Sequence, residues 1–229
     1  RVTDSTNARA RELAAAGAPH GTVVTADEQT EGRGRQGRTW VAPRDRALLY
    51  SLLVRSLGDR PLLPLAAALA VCETAEALTP GIECKVKWPN DVQVDGRKLA
   101  GILIEARPQD DWAVIGVGLN LTIEPEELPP ELRNRATSLA PTPGETQTTG
   151  NRCRLRCTAV LSATLERWID AGDEAILAAW EARNALRGRE VAWDGGSGVA
   201  GGIDGRGNLV VATSGGTVTL NAGEVHLSA

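Results

Sequence analysis

The chain has 229 residues, enough for one large domain or for one with a small second domain. Its net charge of −4 and its pI of about 5.4 argue against a dedicated nucleic-acid-binding protein. No stretch approaches the roughly 20 apolar residues of a membrane-spanning helix, and the first residues carry no signal-peptide pattern. The four cysteines lack C-x-x-C spacing, so we expect them to be reduced and the protein to be cytoplasmic. From the charge and the short apolar runs, we expect binding to neither nucleic acid nor membranes.

Helical and strand patterns alternate through the first 186 residues. The short polar side chains of Asp4–Asn7 predict a helix start, because they cap free N–H groups. The predicted elements are, in chain order, a helix over Ala8–Ala16, strands over Thr22–Ala26 and Ala47–Arg55, a helix over Pro61–Leu78, a strand over Lys85–Trp88, a hairpin of Val92–Val94 and Arg97–Glu105, a strand over Trp112–Leu121, a loop with a short helix over Pro125–Gly150, and helices over Arg152–Ala171 and Glu174–Leu186.

The composition changes near Arg187–Gly188, after which glycine, valine and tight turns dominate. Strands are predicted over Glu190–Trp193, Gly198–Ile203, Asn208–Ala212, Thr217–Asn221 and Glu224–Leu227. This pattern is typical of a small β-barrel or sandwich of about five strands. We therefore predict two domains, over residues 1–186 and 187–229.

A loop rich in glycine and arginine covers residues 32–40 and ends in Trp40. Residues 32–38 include three glycines and three arginines. Glycine permits close approach of the backbone to a ligand, and arginine supplies a permanent charge and a planar fork of donors. The loop is suited to fold over a carboxylate or a phosphate. A solvated basic loop and an RNA-binding arginine–glycine tract remain alternatives at this point.

A second ligand-binding feature is the predicted strand Trp112–Leu121. Gly116, Gly118 and Asn120 share one face of this strand, so the face lacks side chains until an amide appears. We expect a flat ligand to lie on this face and to be read by Asn120. Gly101 interrupts the preceding strand, as glycine does where a bulge forms or a ligand approaches.

Taken together, the motifs resemble those of biotin–protein ligases. The resemblance extends through the C-terminal strands, and four ordered motifs are more specific than any one of them. The matching segments are Gly32–Trp40, Lys87–Asp91, Arg97–Leu103 and Gly116–Asn120, with Ser5–Asn7, Gln29 and the C-terminal Gly202–Leu209 in the same order. The resemblance implies an α+β fold, with a mixed β-sheet and packed helices as in class II aminoacyl-tRNA synthetases, followed by a small SH3-like barrel.

The resemblance also implies a two-step reaction. Biotin and ATP would give biotinyl-5′-AMP and pyrophosphate, and a lysine of a biotin carboxyl carrier protein would then take the biotin. Mg²⁺ would accompany ATP. Positive charge is needed because a carboxylate must approach the α-phosphate. The glycine–arginine loop would act as a lid that is disordered in the free protein and orders on the ligand.

The resemblance assigns site roles residue by residue. The catalytic residues would be Lys98, Arg35 and Arg33. Biotin would be held by Ser5, Thr6, Asn7, Gln29, Gly32, Arg33, Lys98 and Gly101. ATP and the adenylate would be held by Arg35, Trp40, Lys87, Asn90, Gly116, Gly118 and Asn120. Asp91 would help to position Mg²⁺, although turn chemistry also explains this aspartate, and a core position equally explains Trp40.

Two other functions compete with this interpretation. A lipoate–protein ligase would share the catalytic fold, and a biotin-responsive DNA-binding regulator would carry an N-terminal domain not seen in this sequence. The absence of a helix-turn-helix pattern and the acidic balance favour a monofunctional enzyme. An exposed sheet edge would allow a homodimer to form.

Overall fold

The computed structural model describes residues 1–56, 58–139, 147–221 and 225–227, with the backbone alone for 147–152. The strands are β1 (Val2–Thr3), β2 (Val23–Ala26), β3 (Glu28–Gln29), β4 (Ala47–Arg55), β5 (Lys85–Lys87), β6 (Asp91–Val94), β7 (Arg97–Arg107), β8 (Trp112–Asn120), β9 (Glu190–Trp193), β10 (Gly196–Ile203), β11 (Leu209–Thr213), β12 (Gly216–Leu220) and β13 (His226–Leu227). The helices are α1 (Thr6–Ala15), α2 (Leu63–Leu78), α3 (Gln147–Ile169) and α4 (Asp173–Ala182).

Six strands form the main sheet in the order β2-β4-β8-β7-β6-β5, with antiparallel neighbours throughout. A parallel pairing joins β1 to β3 in a separate small sheet, which sequence patterns did not predict because each strand has only two residues. All of β4 except Arg55 is buried. A strand covered on both faces needs such a continuous apolar run. The predicted α+β class is confirmed.

The helices cover the two faces of the main sheet unequally. α2 and α3 pack on the face of β8 that carries Ile115 and Val117, within the main hydrophobic core. α1 lies on the opposite face, where its Ala10 packs against Val114. Ser5 caps α1 as the sequence indicated. The face under α1 therefore has less apolar cover, and it is the face on which the glycines of β8 lie.

The C-terminal strands form an antiparallel sheet in the order β12-β11-β10-β9-β13. Its Val191 and Leu209 belong to the same core as α2. The indole N–H of Trp88 donates to the carbonyl of Gly207 at 3.0 Å, which ties this sheet to the main one. The start of the last predicted strand, at Glu224, and residues 140–146 of the predicted loop lie outside the described residues. The SH3-like form of this sheet and the boundary at residue 187 stay predictions.

All four cysteines are free thiols. The Cys153 and Cys157 sulfurs lie 3.8 Å apart on one face of α3, well beyond the S–S distance of a disulfide. A hydrogen bond with the Cys153 thiol, together with burial, raises the pKa of the Cys157 thiol. The prediction of reduced cysteines is confirmed. Over the part of the chain that the structure covers, no helix has the length and apolar character to span a membrane.

Candidate active site

One cross-strand row brings four predicted site residues together. Lys87 on β5 pairs with Asp91 on β6, Asp91 pairs with Gly101 on β7, and Gly101 pairs with Gly118 on β8. Residues in such a row project from the same face of a sheet. The row therefore supplies a cation, a carboxylate and two positions without side chains across four neighbouring strands.

A β-bulge adds Lys98 to this row. Asp91 pairs with Gly101 while Gln93 pairs with Lys98, so β7 uses one more residue than β6 over this interval. A bulge changes the direction of the side chains on one side of it. Lys98 and Gly101 consequently share a face that a three-residue spacing in a regular strand would deny them. The Lys98 Nζ lies 3.3 Å from the position that a Cβ on Gly101 would take.

Lys98 lies between a carboxylate and an aromatic ring. Its Nζ is 2.6 Å from Asp91 Oδ1 and 5.7 Å from the centre of the Trp40 ring. The Asp91 carboxylate attracts the amine directly, and the face of the Trp40 ring attracts it through a cation–π contact. The side chain keeps about a third of its surface exposed, at 34%. The amine is therefore fixed in place and still open to an anionic ligand.

The glycine face of β8 is covered by side chains from other segments. A Cβ on Gly118 would lie 2.4 Å from Trp40 Cε2, and a Cβ on Gly116 would lie 2.1 Å from Asn7 Oδ1. These distances require glycine at both positions. The expectation of an open face for a flat ligand is wrong for this structure, because sequence spacing shows which positions lack side chains and not which distant residues fill the space.

The glycine–arginine loop folds back on itself and lies against the main sheet. The N–H of Gly34 donates to the carbonyl of Arg38 at 2.7 Å, and that of Trp40 donates to Gly32 at 3.0 Å. A Cβ on Gly32 would lie 2.2 Å from the Trp40 carbonyl oxygen, so only glycine allows this closure. The structure shows the loop closed. Its opening in the free protein stays a prediction.

The two predicted catalytic arginines of the loop point to different partners. Arg33 Nη1 lies 3.5 Å from Glu105 Oε1, and Arg35 Nη1 lies 3.5 Å from Asn90 Oδ1. Asn90 is itself fixed, because its side-chain amide donates to the carbonyl of Ile102 at 2.8 Å. The loop therefore places one guanidinium over β7 and the other near the end of β5.

Arg35 and Asn90 also line a cavity of about 540 Å³ between the main sheet and the C-terminal sheet. Trp88 and Ile102 form part of its apolar wall, and Arg206 and Asn208 contribute polar groups from the C-terminal side. A cavity of this size suits a nucleotide-sized ligand.

A polar cluster lies where α1 begins. Gln29 Oε1 accepts hydrogen bonds from the Thr6 backbone at 2.7 Å and from its hydroxyl at 3.0 Å. Ser51 Oγ lies 2.8 Å from Thr6 Oγ1 and 2.6 Å from Asn7 Oδ1. Thr6, Asn7 and Ser51 are buried, so the cluster is a fixed arrangement of donors and acceptors. The cluster offers the hydrogen-bonding groups that a small polar head group needs.

Ser5 serves α1 directly. Its Oγ lies 3.5 Å from the backbone nitrogen of Ala8, and the side chain is buried. The preceding Asp4 accepts hydrogen bonds from the Ser5 backbone and the Thr3 hydroxyl, and these lower the pKa of the Asp4 carboxyl. The capping role is what the structure shows for Ser5, and a contact with biotin stays a prediction.

Asn120 organises the segment that follows β8. Its side-chain amide donates to the carbonyl of Thr137 at 2.9 Å, and its backbone carbonyl accepts from Leu139. The N–H of Thr137 in turn donates to the carbonyl of Lys98 at 2.9 Å. Asn120 therefore holds residues 136–139 beside the start of β7. A role in binding adenine stays a prediction for this residue.

Asp91 is the one predicted metal ligand. Its carboxylate is held by Lys98, and the described residues contain no group of three His, Cys, Asp or Glu side chains that would hold a metal. Mg²⁺ often binds through one or two carboxylates together with substrate phosphates. The described residues therefore offer one carboxylate to a Mg²⁺ ion that would arrive with a nucleotide, and this role of Asp91 stays a prediction.

Comparison with known proteins decides the family. The Biotin/lipoate A/B protein ligase family matches residues 1–121, and the Biotin protein ligase C terminal domain matches residues 186–228. The chain belongs to the biotin/lipoate protein ligase family. It is 40% identical over 240 residues to the Mycobacterium tuberculosis biotin--[acetyl-CoA-carboxylase] ligase, covering 98% of this chain and 86% of that protein.

One further relative is considerably longer than this chain. The chain is 41% identical over 150 residues to the Bacillus subtilis protein named bifunctional ligase/repressor BirA, a match that covers 63% of this chain and 46% of that protein. The chain thus spans about half the length of that relative. Among solved structures, the Aquifex aeolicus biotin protein ligase in complex with biotin and ATP has a TM-score of 0.80 and 29% identity, covering 100% of this chain and 96% of that one.

Two polar residues of this ligase-family site were missed in the sequence. Ser51 lies in the apolar strand β4, where a small hydroxyl side chain in a buried run was the available signal. Glu105 lies on the same face of β7 as Gly101 and Leu103, because the three positions are two residues apart, so its face was predictable from the strand period. Neither position lies in a recognisable motif, because each serves a residue that comes from another segment.

Proposed function

We propose that this chain is an ATP-dependent biotin–protein ligase. It activates biotin as biotinyl-5′-AMP with release of pyrophosphate, and it transfers biotin to a lysine of a biotin carboxyl carrier protein. The observation that carries the proposal is that Lys98 lies against Gly101, while Arg33 is held at Glu105, whose carboxylate also binds Asn7 of the polar cluster. Full-length similarity to a protein named for this activity supports it.

In the first step, an oxygen of the biotin carboxylate attacks the α-phosphorus of ATP, and the bond to pyrophosphate breaks. The charges of Lys98 and Arg35 lower the barrier by stabilising the negative charge that develops around phosphorus. Thr6 and Gln29 would hold the polar head of biotin, and Arg33 would hold its carboxylate. Mg²⁺ bound with ATP, with help from Asp91, would neutralise phosphate charge.

In the second step, the neutral amine of the acceptor lysine attacks the acyl carbon of the adenylate. The bond between the acyl carbon and the phosphate oxygen breaks, AMP leaves, and the amine loses a proton to give an amide.

The indole N–H of Trp40 is buried and has no hydrogen-bond partner in the described part of the chain. Such a donor beside Lys98 favours an oxygen-rich ligand at this position.

ATP–pyrophosphate exchange tests the reaction and separates biotin from lipoate. We expect exchange that depends on biotin and a much weaker response to lipoate at equal concentration. Exchange with lipoate alone would identify a lipoate–protein ligase, and a lack of exchange with both acids would overturn the proposal.

Two further expectations have their own tests. Sedimentation at several protein concentrations tests whether the chain forms a homodimer. A DNA-binding assay at several salt concentrations tests whether it has no nucleic-acid partner.

Replacing Arg35 with alanine is expected to let the adenylate escape. The side chain connects the loop to Asn90, so its loss weakens closure of the lid more than it weakens the chemical step. We expect biotinyl-5′-AMP to dissociate about tenfold faster or more, the cost of losing a charge-assisted contact. Trapping released adenylate with hydroxylamine measures this.

Arg44→Ala is the control, because Arg44 is exposed, lies just beyond the loop and pairs only loosely with Asp45 at 3.7 Å. Equal retention of the adenylate by Arg35→Ala and the unmodified protein would contradict a lid role for Arg35.

A further inference from the structure

Glu105 is a carboxylate on which side chains from two separate segments converge. It lies near the end of β7, and its side chain is 24% exposed. Its Oε2 accepts a hydrogen bond from Asn7 Nδ2 at 2.9 Å, and its Oε1 lies 2.7 Å from Arg11 Nη1 and 3.5 Å from Arg33 Nη1. The contacts join β7 to α1 and to the glycine–arginine loop.

The two carboxylate oxygens of Glu105 have different partners. One oxygen fixes the amide of Asn7, whose Oδ1 then faces Ser51 and Gly116. The other oxygen holds the guanidinium groups of Arg11 and Arg33. Arg11 takes the shorter bond, and Arg33 lies at the longer distance with its Nη1 toward Glu105.

We propose that Glu105 is a positioning residue that fixes the base of the glycine–arginine loop through Arg33. The inference rests on the proposed function. Arg33 presents one edge of its guanidinium to Glu105, and it offers the rest to the carboxylate of biotin. The negative charge of Glu105 also offsets two arginines beside the site. Arg33 is thereby oriented before biotin binds, which lowers the entropy cost of binding.

Glu105→Gln isolates the contacts to arginine. Glutamine keeps the size of the side chain, and its carbonyl oxygen can still accept the Asn7 amide, but it loses the charge that holds Arg11 and Arg33. We expect KM for biotin to rise about tenfold in pyrophosphate exchange, with kcat changed by less than about twofold, as for loss of a charge-assisted bond that acts on binding.

The matched control is Glu12→Gln, which makes the same charge change on α1. Glu12 is 62% exposed and pairs with Arg9 at the surface, so we expect unchanged KM and kcat. A fall in kcat at constant KM for Glu105→Gln, or kinetic constants equal to those of the unmodified protein, would overturn the positioning role. If the unmodified protein shows no biotin-dependent exchange, the proposed function itself fails.

A double-mutant comparison tests the route through Arg33. If Glu105 acts through this residue, adding Glu105→Gln to Arg33→Ala should raise KM for biotin by less than about twofold beyond the single Arg33→Ala variant. Independent effects that multiply would overturn the inference. Should Glu105→Gln fail to fold, Glu105→Asp serves in the same cycle, because it keeps the charge but shortens the reach to Arg33.

Discussion

Replacing Lys98 with alanine is expected to lower biotin-dependent ATP–pyrophosphate exchange by about two to three orders of magnitude. A fall of this magnitude is typical when an enzyme loses a preorganised group that stabilises charge in the transition state. Lys98 is fixed by the bulge in β7, by the ion pair with Asp91 and by the Trp40 ring. Because the proposed function places this charge at the reacting centre, we expect the loss mainly in kcat.

Lys85→Ala is the matched control for this prediction. Lys85 lies on β5, near the predicted phosphate contact Lys87, and it pairs at the surface with Glu83. Its removal should leave exchange within about twofold, as for other surface ion pairs. Equal losses for Lys85→Ala and Lys98→Ala would indicate that the sheet face needs positive charge in general and not at one position.

The Lys98→Ala variant also leaves Asp91 without its partner. A carboxylate in a partly buried position loses stabilisation when the opposing charge is removed. If the loss of activity came only from this carboxylate, Lys98→Ala combined with Asp91→Asn would recover exchange. We expect no recovery, because the proposed function requires the amine at the reacting centre itself.

Local patterns in the sequence predicted most of the elements. The bounds of β4 and β9 agree with the structure, and those of α1, β8 and β10 differ by a few residues at one end or both. These strands have apolar or β-branched runs bounded by turn residues, and α1 has a capping side chain at Ser5. Such signals lie within one segment, so they survive without knowledge of the rest of the molecule.

The site was less predictable because it depends on contacts between segments. The bulge that turns Lys98 toward Gly101 is a matter of register with β6, and no residue type in β7 specifies it. Trp40 fills the space over Gly118 from a loop nearly 80 positions earlier in the chain. Motif order selected the candidate residues, and the structure was needed to show that side chains of Asn7 and Trp40 already occupy the face predicted to be open.

Gly118→Ala tests the consequence of that packing. The new Cβ would lie 2.4 Å from Cε2 and 2.6 Å from Cζ2 of Trp40, distances at which one of the two groups must move. The backbone N–H of Trp40 donates to the Gly32 carbonyl and its ring faces Lys98, so a shift of this residue also disturbs the loop and the amine. We expect a loss of about 1–3 kcal/mol in the free energy of unfolding, typical of overpacking.

The same substitution should reduce exchange by about a hundredfold, because a misplaced catalytic environment is costly even at shifts of about 1 Å. Gly205→Ala is the control, since its added Cβ meets no atom within 4 Å. Denaturant unfolding and exchange kinetics measure the two effects.

Combining Gly118→Ala with Trp40→Ala separates the clash from the function of the ring. Removal of the indole relieves the overlap with the new methyl group, so the double variant should lose less stability than the two single variants predict together. Exchange should stay low, because Lys98 no longer has the ring beside it. Additive losses in stability would show that Gly118 is required for a reason other than the close approach of Trp40, and full activity in the double variant would remove Trp40 from the site.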